Sequence, residues 1–181
     1  MLIVIDLMYM RKKGGFTIVE LLVVIVVIAV LATIGIISYN RLAARAYLSR
    51  SHSEMSSIAK AVMAFELLNE RYPADVNRGI PPEVTELMNG STENWPTAPW
   101  PNSVYDYDYW IDSDTGKEVV QLAIRFCPID ATSLSDCTFP DEPWAANFQK
   151  DSSYYWCIKG ACRSHSALPI DYPGKCANCV D

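Results

Sequence analysis

A single carboxylate lies inside the most apolar part of the sequence. Residues 16–37 (FTIVELLVVIVVIAVLATIGII) contain no proline and no charged residue except Glu20. An ionised carboxylate at membrane depth costs about 2.5–3.5 kcal/mol unless it is paired. No basic residue lies one helical turn from Glu20, so its partner must come from the chain's own N-terminus, from another subunit or from a proton. Glu20 is therefore the first candidate for a functional side chain.

Six cysteines lie in the last third of the chain and could form disulfides or bind a metal. An even number of cysteines favours disulfides where the segment lies outside the cytosol. The spacing of the last four is also similar to that of a four-thiolate zinc site, which leaves zinc as an alternative. Fifteen complete pairings are open for Cys127, Cys137, Cys157, Cys162, Cys176 and Cys179. The locally convenient pairs are Cys127 with Cys137 and Cys157 with Cys162.

Acidic residues crowd a short stretch around residue 112. The pattern Asp112-x-Asp114-x-Gly116 alternates oxygen ligands as a calcium loop does, but the glutamate that closes an EF-hand loop is missing. Asp112 and Asp114 are therefore a candidate calcium site. The alternative is a solvated hairpin whose aspartates form the turn.

Other chemistry finds little support in the sequence. His52 and His165 are far apart, and neither belongs to a nucleophile motif. The chain has no phosphate-binding glycine loop, so an ATPase is excluded. A net charge of -6 and an isoelectric point near 4.9 argue against nucleic-acid binding as the main role. We therefore predict that the chain is not an enzyme and needs no cofactor apart from the calcium or zinc considered above.

The apolar run and its basic flank predict a membrane span. As a helix, residues 16–37 reach roughly 33 Å, which is enough to cross a hydrocarbon core of about 30 Å. The basic residues 11–13 precede the run, and by the positive-inside rule they keep the N-terminus in the cytoplasm and place the chain beyond about residue 40 outside. We therefore expect a single-pass membrane protein with an extracytoplasmic C-terminal domain.

The next segment predicts that the helix continues with one apolar face. Residues 41–71 contain no glycine or proline, and Tyr72-Pro73 then ends the helix. Apolar residues recur at steps of three and four, which is typical of an amphipathic helix that buries one stripe. The stripe consists of Leu48, Met55, Ile58, Val62 and Phe65.

The rest of the chain predicts a loop and a small sheet. Residues 73–103 are rich in proline and contain one short predicted helix, Pro82 to Met88. Apolar residues alternate with polar ones around 105–109 and 120–126, a hairpin turn lies at 112–116, and a third strand follows at 153–158. The tyrosines of the first strand favour sheet packing, and an adhesive surface is the alternative.

These elements together predict an α+β fold. One long N-terminal helix packs on a small antiparallel sheet, and a disulfide-bearing loop completes the C-terminal region. The predicted organisation after residue 15 is a membrane helix at 16–40, an amphipathic half at 41–72, a connecting loop at 73–103, and the sheet with the cysteine-rich region at 104–181.

The head of the apolar run carries a motif in fixed order. A small residue, an aromatic residue, Thr, two apolar residues and Glu follow one another from Gly15 to Glu20. This stretch resembles the prepilin-peptidase motif of type IV pilins and of the pseudopilins of type II secretion systems. The resemblance implies that residues 1–15 are a leader, which is cleaved between Gly15 and Phe16, and that Phe16 is N-methylated. By the same resemblance, the helix at 16–40 forms a filament core after assembly. It also implies that Glu20, with Phe16 and Thr17, acts in assembly, where the glutamate pairs with the N-terminal amine of a neighbouring subunit.

The resemblance predicts a structural subunit of a type IV pilus-like filament. The implied partners are other copies, related minor subunits, the prepilin peptidase, an assembly ATPase, a platform protein and the membrane. The first alternative is a type II secretion pseudopilin, and the others are a signal-anchored binding domain and a membrane-tethered enzyme. The first ten residues are unusually apolar for such a leader, so the translation start could be Met1, Met8 or Met10.

Overall fold

The computed structural model describes residues 15–89 and 96–179, and among these it leaves out the side chains of residues 34–41 and 89. The predicted leader up to residue 14 therefore lies outside the described residues. The chain divides into two compact units, residues 1–41 and 42–181. Helix α1, Ile18–Asn69, contains residues of both units.

The first unit consists of the apolar part of α1 and the residues before it. Every large apolar side chain from Ile18 to Leu31 is at least 50% exposed. Judged by length and hydropathy together, none of the helices formed by the described residues qualifies as a membrane span, so this part of the prediction is not confirmed. The apolar side chains are thus not covered by any described part of this chain.

The C-terminal end of α1 lies before Tyr72-Pro73, where the sequence predicts it. The helix stops at Asn69, and the next residue, Glu70, has a φ of 55°. A residue in the left-handed region does not continue a right-handed helix. The Glu70 N–H still donates to the Glu66 carbonyl at 2.8 Å. The chain therefore leaves the helix before Pro73 could interrupt it.

The second unit contains a four-stranded sheet with a short helix, α2, Pro82–Asn89, before it. The strands lie in the order in which they occur along the chain. The first three pair antiparallel, as predicted, whereas the fourth pairs parallel to the third, so the complete sheet is mixed. The strands are β1, Val104–Ile111; β2, Glu118–Arg125; β3, Ser153–Lys159; and β4, Lys175–Cys176.

The core of the second unit lies between α1 and one face of this sheet. Met55, Ile58 and Val62 are fully buried in the predicted stripe of α1. The register places Tyr107 opposite Leu122, and both side chains are fully buried in the same apolar cluster. The predicted α+β fold is therefore confirmed, including the packing of a helix stripe on the sheet.

One edge of the sheet is covered by the loop that follows α1. The backbone N–H of Tyr107 donates to the Gly79 carbonyl at 2.8 Å. The next outward N–H of β1, that of Tyr109, donates to Oδ1 of Asp75 at 2.9 Å. Two outward N–H groups of β1 therefore already have partners.

The opposite edge is covered by the C-terminal segment. The Ala177 N–H donates to the Tyr155 carbonyl at 2.6 Å. Next to it, the Asn178 side chain accepts from the Cys157 N–H and donates to the Cys157 carbonyl, both at 2.8 Å. One side-chain amide thus replaces a strand residue and pairs with both polar backbone groups of Cys157.

Candidate functional site

The start of α1 forms a reciprocal hydrogen-bonded cap. The Thr17 backbone N–H and hydroxyl both donate to Oε2 of Glu20, at 2.8 and 2.7 Å. The Glu20 N–H donates in return to the Thr17 hydroxyl oxygen at 3.2 Å. This is a capping box, in which Thr and Glu three residues apart satisfy donors that the first helical turn leaves free. Glu20 therefore has a local partner that the sequence argument did not find, although the T-x-x-E pattern predicts it.

The residues at the N-terminal side of this cap lie outside the helix and are exposed. Residues 15–17 precede the helix, and the Phe16 side chain is 84% exposed. A Cβ atom built on Gly15 would meet nothing within 4 Å. Packing in the described structure therefore does not demand a glycine at position 15.

All six cysteines form disulfides between sequence neighbours. The pairs Cys127–Cys137 and Cys157–Cys162 are the two that local spacing favoured. The third pair, Cys176–Cys179, spans three residues. Because no cysteine is free, no thiolate remains for zinc, and the zinc alternative is wrong for this oxidised chain.

The aspartates at the hairpin turn bind protein donors. Oδ1 of Asp112 accepts from the N–H and the hydroxyl of Thr115, at 3.0 and 2.8 Å. Oδ2 of Asp112 lies 3.5 Å from the Arg163 guanidinium. The Asp114 carboxylate accepts from the neighbouring Ser113 hydroxyl at 3.5 Å. No group of three potential ligands in the described ranges is arranged for a metal, so the calcium hypothesis gains no geometric support.

The back face of the sheet carries a buried ion cluster that the sequence analysis missed. Arg125 is 2% exposed. Its Nε donates to Asp106 at 2.6 Å, and its NH2 group donates to both oxygens of Asp108, at 3.2 and 3.0 Å. The Gln121 side chain donates to the same Asp108 at 3.0 Å. Burial raises the pKa of Asp108 to about 6, although the neighbouring Arg125 acts to lower it.

The C-terminal loop is tied to this cluster. The Arg125 NH1 group donates to the Ser164 carbonyl at 2.7 Å. The Ser153 N–H donates to the Ser164 hydroxyl at 2.9 Å, and the Arg163 N–H donates to Oε1 of Gln121 at 3.1 Å. The aspartates of β1 therefore lie under the loop and are not solvated. The signal in the sequence was the shared alternation of Asp106, Asp108 and Arg125, which has meaning only once the strand register is known.

The tyrosines and histidines considered from the sequence differ in burial. Tyr105 and Tyr107 are 3% and 0% exposed, which confirms sheet packing for these two. His52 is exposed, and its ring lies edge-on to Trp156 at 4.8 Å between centroids. His165 is half-buried, and burial lowers its pKa. The described structure brings neither histidine to a nucleophile.

Comparison with known proteins places the motif in a family context. Residues 10–36 match the family described as "Prokaryotic N-terminal methylation motif". The chain is 31% identical over 87 residues to a protein named "Fimbrial protein" from Pseudomonas aeruginosa, an alignment that covers 45% of this chain and 56% of that protein. It is 28% identical over 116 residues to "Type II secretion system core protein G" of Vibrio cholerae serotype O1 (strain ATCC 39315 / El Tor Inaba N16961), which covers 59% of this chain and 77% of that protein.

The alignments cover part of this chain and part of each relative. The aligned part spans little more than half the length of the fimbrial protein. No solved structure matches the chain at a significant level. The matched motif ends with the apolar part of α1, and the capped Glu20 lies inside it. The chain therefore carries the prokaryotic N-terminal methylation motif at the head of a pilin-like α+β fold, as its resemblance to type IV pilins and pseudopilins predicted.

Proposed function

We propose that the chain is a structural subunit of a type IV pilus-like filament, processed between Gly15 and Phe16 by a prepilin peptidase. The observation that carries the proposal is the methylation motif at the head of a helix whose apolar side chains are at least half exposed from Ile18 to Leu31. Exposed apolar surface of this extent marks a membrane or protein interface. Lipid before assembly and other copies after assembly would each cover it.

The geometry around residue 15 supports the processing step. The Gly15–Phe16 bond lies in an exposed segment before the helix, where a peptidase can reach it. Because packing does not require glycine at this position, the requirement for a small residue would come from the peptidase. Methylation would then act on the new amine of Phe16, whose side chain is 84% exposed.

The capping box supports a two-sided role for Glu20. Oε2 binds Thr17 in the same chain, whereas Oε1 has no hydrogen bond within the described residues. The free oxygen can accept from the amine of Phe16 in a neighbouring copy while the cap stays intact. An ammonium group facing a carboxylate away from water is a strong pair.

Two variants of Glu20 separate the two roles. Glu20→Gln keeps an acceptor for the capping box but removes the charge, whereas Glu20→Ala removes both. If the pair with the neighbouring amine drives assembly, both variants insert into the membrane and both lose incorporation into filaments, measured as the sheared fraction. Normal incorporation of Glu20→Gln would contradict the pairing and leave capping as the role of Glu20.

A secretion pseudopilin is the second candidate, because the alignment covers 77% of the type II secretion core protein G. We propose for both candidates that the unassembled chain is held in the membrane with its N-terminus in the cytoplasm, and that the peptidase, an assembly ATPase and a platform protein act on it. Related minor subunits would join the filament. Both candidates are structural proteins and not enzymes.

Mass spectrometry of the N-terminal peptide and of the intact chain tests the proposal. Sheared surface material and membranes are compared without reducing agent. A methylated Phe16 in sheared material, with six hydrogens lost to three disulfides, supports a surface pilus. The same terminus in membranes alone favours the pseudopilin. An intact leader in every fraction, in cells with an active prepilin peptidase, would overturn both.

A further inference from the structure

The outer face of α1 in the second unit carries a cation beside exposed apolar side chains. Lys60, Met63 and Leu67 follow one another at steps of three and four residues, so they share one face of the helix. Lys60 is exposed, and the side chains of Met63 and Leu67 are 44% and 80% exposed. This face, which we call the lysine face, lies on the side of the helix opposite Ile58 and Val62.

Lys60 has no partner in its own chain as far as the structure describes it. No acidic residue lies three or four positions from it in α1. The ion pairs of the described residues do not include it. A solvated lysine alone is ordinary. Beside two exposed apolar side chains, however, Lys60 forms a surface that is both positively charged and apolar. Such a surface suits an acidic partner that also presents an apolar side chain.

Helix α2 presents that chemistry. Val84 and Thr85 are buried, which leaves Glu83, Glu86 and Leu87 on the exposed side. Leu87 is 44% exposed, α2 contains no basic residue, and none of the described ion pairs includes either glutamate. This surface, the glutamate face, therefore complements the lysine face in charge and in apolar character.

The two faces belong to one chain but are not paired within it. Both lie in the second unit, where Lys60 forms no ion pair with Glu83 or Glu86. If two different faces of one subunit bind each other between copies, the contact is heterologous, and such a contact extends into a helical filament unless a ring closes. Charge complementarity also fixes the register of such an interface and its choice of partner.

We propose that the lysine face of one copy binds the glutamate face of a second copy in the assembled filament. The proposal rests on the proposed filament function. Lys60 pairs with Glu83 and Glu86 of the neighbour, and Leu87 packs on Met63 and Leu67. The interface lies outside the N-terminal motif, so it adds a contact between the C-terminal units to the bundling of the apolar helices.

Charge reversal in the full-length chain tests the pairing. Lys60→Glu, and separately Glu83→Lys with Glu86→Lys, should each lower the sheared filament fraction about tenfold, which corresponds to a loss of about 1.4 kcal/mol. The three substitutions in one chain restore opposite charges and should restore assembly. Arg45→Glu and Asp141→Lys, at other exposed positions, are the matched controls and should assemble normally.

Site-specific cross-linking tests the contact directly. Chains with Leu67→Cys and chains with Leu87→Cys are expressed together, and sheared filaments are treated with a short thiol cross-linker. A cross-linked dimer is expected for this pair and not for Leu42→Cys with Leu87→Cys, although Leu42 is 67% exposed. Normal filaments from the charge-reversed chains, without this cross-link, would overturn the interface alone. A failure of the unaltered chain to assemble at all would instead overturn the proposed function.

Discussion

The two halves of α1 differ in where their apolar side chains find cover. From Ile18 to Leu31 these side chains remain at least half exposed, whereas Met55, Ile58 and Val62 are fully buried against the sheet. The chain itself thus buries the apolar stripe of one half of the helix, whereas the apolar side chains of the other half need cover from outside the chain. Apolar content alone therefore does not identify a core, because the periodicity of the apolar residues determines whether a single face or all faces need burial.

The largest expected effect concerns the buried ion cluster of the second unit. Arg125→Met would leave Asp106 and Asp108 buried without their cation, and breaking such a cluster costs about 3–5 kcal/mol. The free energy of unfolding of the full chain in detergent, measured with denaturant, should fall by that amount. Lys117→Met, at an exposed position, is the control and should change it by less than about 0.5 kcal/mol. Equal losses in both variants would mean that the cluster does not stabilise the unit.

The second prediction compares the two halves of α1 directly. Ile58→Ala removes a fully buried side chain and should lower the free energy of unfolding by about 2–5 kcal/mol. Ile25→Ala removes a side chain that is 55% exposed and should cost less than about 1 kcal/mol in the same unfolding measurement, while it lowers filament incorporation more than Ile58→Ala does. The comparison fails if Ile25→Ala destabilises the isolated subunit as much as Ile58→Ala.

The third prediction concerns pH and the buried cluster. Because burial raises the folded-state pKa of Asp108 to about 6, above the unfolded value of about 3.9, the folded chain binds this proton more tightly. Its contribution to stability is full below about pH 4 and is lost as the pH rises through 6. Compared with Asp108→Asn, the wild-type free energy of unfolding should fall by about 1–3 kcal/mol between pH 4 and 7. A constant difference across this range would show that Asp108 stays ionised.

The smallest expected effect concerns an exposed ion pair of the same unit. Lys159 lies 2.7 Å from Glu118, and the two side chains are 45% and 38% exposed. Such pairs contribute about 0–1 kcal/mol and are screened by salt. Lys159→Met should therefore change the free energy of unfolding by less than about 1 kcal/mol, and the change should shrink further in high salt. A loss as large as that of Arg125→Met would remove the distinction between buried and exposed pairs.

The sequence predicted those parts of the structure that depend on local periodicity. The buried stripe of α1, the short helix α2 and the first three strands follow from spacing, because each element buries one face at a characteristic period. The methylation motif could likewise be identified from the sequence, because its residues are contiguous. The capping box was also present in the sequence as T-x-x-E. The charge of Glu20 in an apolar run, however, predicted a more distant partner.

The remaining features depend on long-range register, which the sequence did not supply. Asp106 and Arg125 are 19 residues apart and meet only because β1 pairs with β2. β4 is two residues long and has no periodicity to detect. The observed set of three disulfides was one of fifteen connectivities, and spacing alone did not select it.

The Asn178 amide, which occupies part of a sheet edge, has a consequence for aggregation at high protein concentration. Asn178 and Ala177 bind backbone groups of β3, and the Gly79 carbonyl and Asp75 accept from two outward N–H groups of β1, so these groups cannot pair with a neighbouring strand. Fewer open backbone groups then remain on which an amyloid-like stack of crowded copies could begin. A filament of the proposed kind would be joined through side chains, and its subunits could separate without melting a shared sheet.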